Sequence, residues 1–102
     1  MTSEKKAENA SIQGYESHCN CDHCGRPLKI GIQLSGYGVI GADCLNAAIV
    51  PNRNTWRAGK PTADWLRTLA KLKQRDSAEQ LARMGYHPSH FVLEVYAQKL
   101  VA

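Results

Sequence analysis

The chain has 102 residues, a formal net charge of +4 and 43% hydrophobic residues, a composition that suits one domain with a modest core. No apolar run approaches the roughly 20 residues that span a bilayer, and the N-terminus lacks the apolar segment of a signal peptide. We therefore expect a cytoplasmic protein that neither crosses a membrane nor is secreted. In that reducing setting, clustered cysteines are more often metal ligands than disulfides.

The first predicted elements are an arm and a hairpin. Residues 1–17 are polar and aperiodic, which indicates a disordered arm. In the stretch LKIGIQL, the residues Ile30, Ile32 and Leu34 alternate with neighbours on the other face, as in a half-buried strand. The turn sequence SGYG and the short apolar stretch VIG follow, and together they predict a β-hairpin.

A helical pattern starts after the hairpin. A short helix is predicted to begin at Ala42 or Asp43 and to end before Pro51. Residues 52–61, rich in proline, glycine and asparagine, predict a linker. A helix from Thr62 to about Arg75 follows, with Thr62 as its N-cap.

The C-terminal part carries further helix signals. Ser77 with Gln80 three residues later forms a capping-box pattern, and Gly85 is a typical helix stop. The last segment, residues 89–102, contains the stretch FVLEVY, which fits a strand. The spacing of the apolar residues in this segment nevertheless favours a helix.

All four cysteines lie between the arm and the first helix. Cys21-Asp-His-Cys24-Gly has the spacing of a zinc knuckle, in which two thiolates hold one ion from a tight turn. Cys44 lies in the first turn of the predicted helix, where the helix dipole favours a thiolate. Knuckle, hairpin and a ligand in the first helical turn is the order of a treble-clef zinc finger.

The stretch CDHCGRPLK…GYGVIGADCL resembles small zinc-binding modules of phage and plasmid proteins with the pattern C-x-x-C-G…(V/I)-G-x-x-C. It covers about a quarter of the chain. The resemblance implies that Cys21, Cys24 and Cys44 bind one structural zinc ion, and that the protein acts in a bacterial or phage-infected cell. It implies a shape rather than a function, because this finger serves many roles.

The fourth ligand is open at this level. Many treble clefs supply a second cysteine three residues from the helical one, but Gly41 and Ala47 occupy those positions here. Cys19, just before the knuckle, is our first choice for the fourth ligand of a closed tetrahedral site. The alternatives are His18, His87 or His90, and then His23, Asp43 or a water molecule.

Other interpretations of the cysteines fit less well. Disulfides would require secretion, and a redox C-x-x-C would require a βαβ context. A catalytic zinc ion needs an open position and a general base, and Asp22 and Asp43 are the only acids nearby. An HNH-type nuclease needs two histidines in a set order that this chain does not present. We therefore expect a structural zinc ion and no enzymatic activity.

Positive charge is concentrated in residues 52–75, which carry seven lysines and arginines against one aspartate. At about 100° per residue, Arg67, Lys71 and Arg75 cluster opposite the apolar side of the predicted helix. Trp56, in the linker, is placed to stack on an exposed base. The expected contacts to nucleic acid or a partner are Arg53, Trp56, Arg57, Lys60, Arg67, Lys71 and Arg75. The alternative is that the helix merely has a solvated face and that Trp56 fills a gap near the finger.

We therefore predict an α+β protein in which a treble-clef zinc unit, residues 18–51, is followed by the linker and by two or three helices within residues 62–102. The helical part is expected to pack on the zinc unit through Trp65, Leu69, Leu72, Leu81, Met84, Phe91 and Tyr96. The predicted function is sequence-independent nucleic-acid binding by residues 53–75. The alternative is a protein–protein inhibitor or adaptor of a phage or mobile element, acting on a host enzyme or defence complex.

Overall fold

A computed structural model describes residues 7–54, 56 and 59–100. These residues form an antiparallel sheet of four strands with three α-helices, which confirms the α+β class. The strands are β1 (Ala7–Asn20), β2 (Pro27–Leu34), β3 (Gly38–Gly41) and β4 (Val92–Tyr96). The α-helices are α1 (Ala42–Ala48), α2 (Ala63–Arg75) and α3 (Ala78–Arg83). Two 3-10 turns, Pro88–Phe91 and Ala97–Lys99, flank β4.

The long strand β1 lies inside the sheet, whose order is β3-β2-β1-β4. Residues 7–11 of β1 pair with β4, and residues 12–20 pair with β2. The prediction of a disordered arm over residues 1–17 is therefore wrong for residues 7–17, while residues 1–6 lie outside the described residues. Residues 7–11 are ordered by β4, at the other end of the described chain, and residues 12–17 are ordered by β2. Both partners lie outside the segment, so its own sequence gives little sign of these contacts.

The hairpin and the first helix agree with the sequence prediction. β2 and β3 pair in antiparallel register, with Ile32 opposite Ile40 and both side chains buried. α1 starts directly after β3, with Gly41 at its N-cap, and Ala42 is its first residue. The hairpin therefore leads straight into the helix that carries Cys44.

The predicted caps of the two later helices are also confirmed. The Thr62 hydroxyl accepts a hydrogen bond from the Trp65 backbone N–H at 3.1 Å, and α2 runs to Arg75. Ser77 and Gln80 form the expected capping box at the start of α3.

None of the described helices has the length and the apolar content needed to span a bilayer.

One buried cluster joins the sheet to α1 and α2. Its most deeply buried large side chains are Ile12, Ile32, Ile40, Leu45, Leu66, Leu69 and Val95. Gln74 of α2 also reaches β1, where its Oε1 accepts a hydrogen bond from the Tyr15 N–H at 2.8 Å. α2 is therefore held against β1 by apolar packing and by a polar contact to the strand edge.

Two predictions about the C-terminal part are wrong. The last segment contains strand β4 rather than a helix, because Leu93 and Val95 alternate into the core while β4 pairs with β1. Met84 at the end of α3 is 50% exposed and does not belong to the core. Of the other predicted core residues, Trp65 and Tyr96 are half-buried, and the rest are buried.

Candidate metal centre

The structure brings Cys21, Cys24 and Cys44 together. Cys21 and Cys24 lie in the turn between β1 and β2, and Cys44 lies in the first turn of α1. Their three Sγ atoms all lie within 4.8 Å of one another, a grouping that can hold a metal ion. The Cys24 and Cys44 sulfurs are 3.7 Å apart. For metal–sulfur bonds of roughly 2.3 Å, an ideal tetrahedron places its sulfurs about 3.8 Å apart, so the spacing fits a tetrahedral ion such as zinc.

Backbone N–H groups surround the sulfur of Cys21. The Gly41 N–H donates to Cys21 Sγ at 3.3 Å, and the backbone N–H groups of His23 and Cys24 donate to the same atom. Burial of Cys21 opposes ionisation, but these donors and the Cys24 thiol outweigh it and lower the pKa of Cys21 to about 7. The turn therefore favours the thiolate form that binds metal.

The turn itself is closed by short backbone hydrogen bonds. Cys21 N–H donates to the Arg26 carbonyl at 2.9 Å, and Gly25 N–H donates to the Cys21 carbonyl at 2.7 Å. Gly25 has a φ of +75°, in the left-handed region that favours glycine. The glycine after the second cysteine thus lets the chain fold back beneath the thiols.

Cys44 is half-buried on α1, and its thiol lies close to the thiols of Cys21 and Cys24. Burial, followed by hydrogen bonding to Cys24 and Cys21 and their negative charge, raises the pKa of Cys44 to about 12 in the absence of a cation. Three thiolates this close repel one another, and a divalent cation removes that repulsion. The donor set therefore suits a metal ion better than it suits three free thiolates.

Asp22 ties the knuckle to β3, a contact that the sequence analysis did not identify. The Asp22 N–H donates to the Val39 carbonyl at 2.8 Å, and the Val39 N–H donates to Asp22 Oδ2 at 2.8 Å. Gly38 precedes Val39 with a φ of +90°, and a Cβ at Gly38 would collide with the Asp22 carboxylate. Of the two glycines in the hairpin turn, Gly38 is the one that this close approach requires.

Replacing Gly38 by alanine is expected to loosen the metal centre as well as to strain the turn. The left-handed backbone costs an alanine about 1–2 kcal/mol, and displacing the Asp22 carboxylate adds the loss of its hydrogen bond, about 1 kcal/mol or more. Gly36→Ala is the matched control, because its φ is +80° but nothing lies within 4 Å of its Cβ position. Zinc competition with a chelator should show weaker binding for Gly38→Ala only. Equal affinities for the two variants would contradict a role of Asp22 in positioning the knuckle.

The structure does not bring Cys19 into the cluster. Cys19 is still part of β1, opposite Leu28 of β2, and its thiol donates to the Glu16 carbonyl at 3.4 Å. Burial and then the Glu16 carboxylate raise the pKa of Cys19, which disfavours its thiolate. The cluster among the described residues therefore contains three thiols and does not include Cys19.

The histidines are also absent from the cluster, and all four of them are among the described residues. His87 Nδ1 accepts a hydrogen bond from the Ser89 N–H, and His90 Nδ1 accepts one from the His87 N–H, so these two rings cap the turn around Pro88. His23 Nδ1 is buried without a hydrogen-bond partner among the described atoms, but His23 does not join the thiol group. His18 is exposed in β1.

Part of the basic block, the positively charged segment of residues 53–75, already makes contacts within the protein. Lys60 Nζ donates to the Asn46 carbonyl at 3.1 Å. Arg67 Nη1 pairs with Asp64 Oδ1 at 2.7 Å, and Arg75 pairs with Asp76 at 3.3 Å. Each ion pair has one well-exposed partner, Asp64 in the first and Arg75 in the second, so each stabilises the fold only slightly and leaves donors available to a ligand.

The remaining block residues differ in exposure. Lys71 and Arg53 are exposed, whereas Trp56 is half-buried and packs against the core cluster. Trp56 therefore fits the gap-filling alternative better than base stacking. Arg57 lies outside the described residues.

No family model matches this chain, and no curated protein or solved structure matches it either.

Proposed function

We propose that this protein is a non-enzymatic zinc-binding module of treble-clef type that binds nucleic acid through the basic block at residues 53–75. The observation that carries the nucleic-acid proposal is the division of α2 into two faces. Leu66, Leu69 and Leu72 are buried, while Lys71 and Arg75 are exposed on the other side. A rigid helix that presents cations at intervals of about 6 Å is suited to a phosphate backbone.

Zinc is the metal that we assign to the three thiols. Thiolate ligands select zinc, copper(I) and iron–sulfur clusters, and a mononuclear tetrahedral site with a knuckle is typical of zinc. Cys21, Cys24 and Cys44 would supply three ligands, and a donor other than a cysteine sulfur would supply the fourth. The ion would clip the knuckle to α1 and so fix the hairpin between them, which is a structural role.

The binding would be electrostatic rather than base-specific. Trp56 is half-buried and Lys60 is engaged with Asn46, so phosphate contacts from exposed cations would provide the affinity. Such binding releases counterions and weakens steeply as salt rises. It would show little preference among sequences, because phosphates carry no base identity.

Replacing Lys71 and Arg75 together by glutamine tests this proposal. Glutamine is a good helix former, so α2 is expected to remain intact. Fluorescence anisotropy with a labelled single-stranded oligonucleotide should show weaker binding and a salt slope reduced by up to about 1.4, the value for two lost phosphate contacts. The control is Arg83→Gln combined with Lys99→Gln, which removes the same charge from exposed positions outside the block.

The result that would contradict the proposal is a wild-type protein that ignores single- and double-stranded oligonucleotides even at low salt. The inhibitor or adaptor function would then take its place, with the basic face of α2 contacting an acidic surface of a host protein. A control double variant that loses as much affinity as the α2 variant would show that total charge, and not this helix, determines binding.

A further inference from the structure

A cavity of about 450 Å³ adjoins the thiol cluster. Cys24 and Cys44 line it, together with residues from the start of β2, from the start of α1 and from α2. Cavities of this size accommodate small ligands or a unit of a larger one. The residues at the start of β2 lie outside the basic block at residues 53–75.

Three cations from separate parts of the chain converge on this cavity. Arg26 follows the knuckle, Lys29 lies on β2, and Arg67 lies on α2, while Asp43 is the only carboxylate among the described residues that line the cavity. A zinc ion held by three thiolates would carry a net charge of −1, so the cavity would remain net positive with the metal in place. The surroundings therefore favour an anionic ligand.

The cations of the cavity are available to a ligand. Arg26 and Lys29 are exposed, and neither has an acidic partner among the described residues. Arg67 pairs with Asp64 through one nitrogen only, and the Asp64 side chain is 94% exposed. An exposed pair of this kind is weak, and a guanidinium has five N–H donors, so Arg67 can bind a second anion.

The cavity also has an apolar side. Pro27, Leu28 and Ile30 of β2 line it beside the cations. A phosphate with an attached sugar presents the matching pair of surfaces, charged oxygens and a less polar ring. In an acidic peptide, by contrast, the carboxylates sit on flexible side chains, and no ring is held at a fixed distance from each charge.

We infer that this cavity binds a backbone phosphate and its sugar from a nucleic-acid strand, with Arg26, Lys29 and Arg67 as the phosphate contacts. The inference rests on the proposed nucleic-acid function and extends it to residues outside the basic block. Arg67 belongs to both surfaces, since it lines the cavity and begins the row that continues with Lys71 and Arg75. The strand would therefore be anchored next to the metal centre and would follow α2.

The test is a double variant, Arg26→Gln with Lys29→Gln, compared with Arg83→Gln combined with Lys99→Gln. All four side chains are exposed, so both variants are expected to fold and to retain one zinc ion. Anisotropy with a labelled single-stranded oligonucleotide should show at least about a tenfold loss of affinity for the cavity variant, since the charge-assisted contacts of two exposed side chains to phosphate are lost. Its salt slope should fall by about 1.4, and the control should retain most of its affinity.

Chemical-shift mapping with the same oligonucleotide gives an independent readout. Amide signals of residues 26, 28–30 and 41–44 should shift on binding if the strand enters the cavity. The inference is overturned if the cavity variant binds as tightly as the control while the Lys71 and Arg75 variant binds weakly, and the proposed function then still stands. A wild type that binds no oligonucleotide overturns both. If affinity is lost in the cavity variant but not in the Lys71 and Arg75 variant, binding in the cavity is supported and binding through the basic block is contradicted.

Discussion

Replacing Cys21 by serine is expected to abolish zinc binding and to unfold at least the zinc unit. Cys21 is 2% exposed, and its sulfur is the acceptor around which the knuckle backbone is arranged. Structural zinc contributes apparent free energies of about 10 kcal/mol or more in small modules, which is comparable to the whole stability of a typical domain. The free energy of unfolding should therefore approach zero. Metal analysis of purified protein and circular dichroism would measure both effects.

Cys19→Ser is the matched control for this experiment. The Cys19 thiol lies outside the cluster and donates a hydrogen bond to the Glu16 carbonyl, and a serine hydroxyl can make the same contact. We expect Cys19→Ser to retain one zinc ion and to change stability by no more than about 1 kcal/mol. Cobalt(II) substitution would count the sulfur ligands, because the intensity of thiolate-to-cobalt absorption grows with their number. Loss of zinc from Cys19→Ser as complete as from Cys21→Ser would restore Cys19 as the fourth ligand.

The difference between Cys19 and its neighbours shows what the sequence can predict about this site. Cys21 and Cys24 share one tight turn, and Cys44 is the third residue of α1, so local geometry and a short hairpin suffice to bring them together. Cys19 is two positions from Cys21, but it remains in β1 while Cys21 has already turned away into the knuckle. Nearness along the chain therefore did not predict convergence in space.

The two terminal strands show the corresponding limit for the fold. In β1, the buried positions Ala10, Ile12 and Gly14 do alternate, but two of them are small and give a weak hydrophobic signal. In β4, FVLEVY suits either a strand or a helix. The choice is made by the pairing between β1 and β4, which joins the two ends of the described chain. The caps and hairpin were predictable because their stabilising contacts are local.

Leu66→Ala is expected to cost about 3 kcal/mol of unfolding free energy, within the range of 2–5 kcal/mol found for buried leucines. Leu66 is fully buried where α2 packs on the rest of the core. Truncation leaves a cavity, because the other buried leucines of α2, Leu69 and Leu72, keep the helix packed on β1 and β2. The midpoint of urea unfolding, measured with saturating zinc, should fall accordingly. For a domain of this size, the melting temperature should fall by roughly 12–24 °C.

Met84→Ala provides the contrast, because the sequence pattern placed Met84 in the same core. The side chain is half exposed at the C-cap of α3, so its removal uncovers little apolar area and leaves no cavity. We expect a change within about 0.5 kcal/mol, as at most surface positions. Zinc content should be unchanged in both variants, which separates core packing from the metal centre. If Met84→Ala destabilised the protein as much as Leu66→Ala, the end of α3 would have to pack into the core, and the exposed position of Met84 would be wrong.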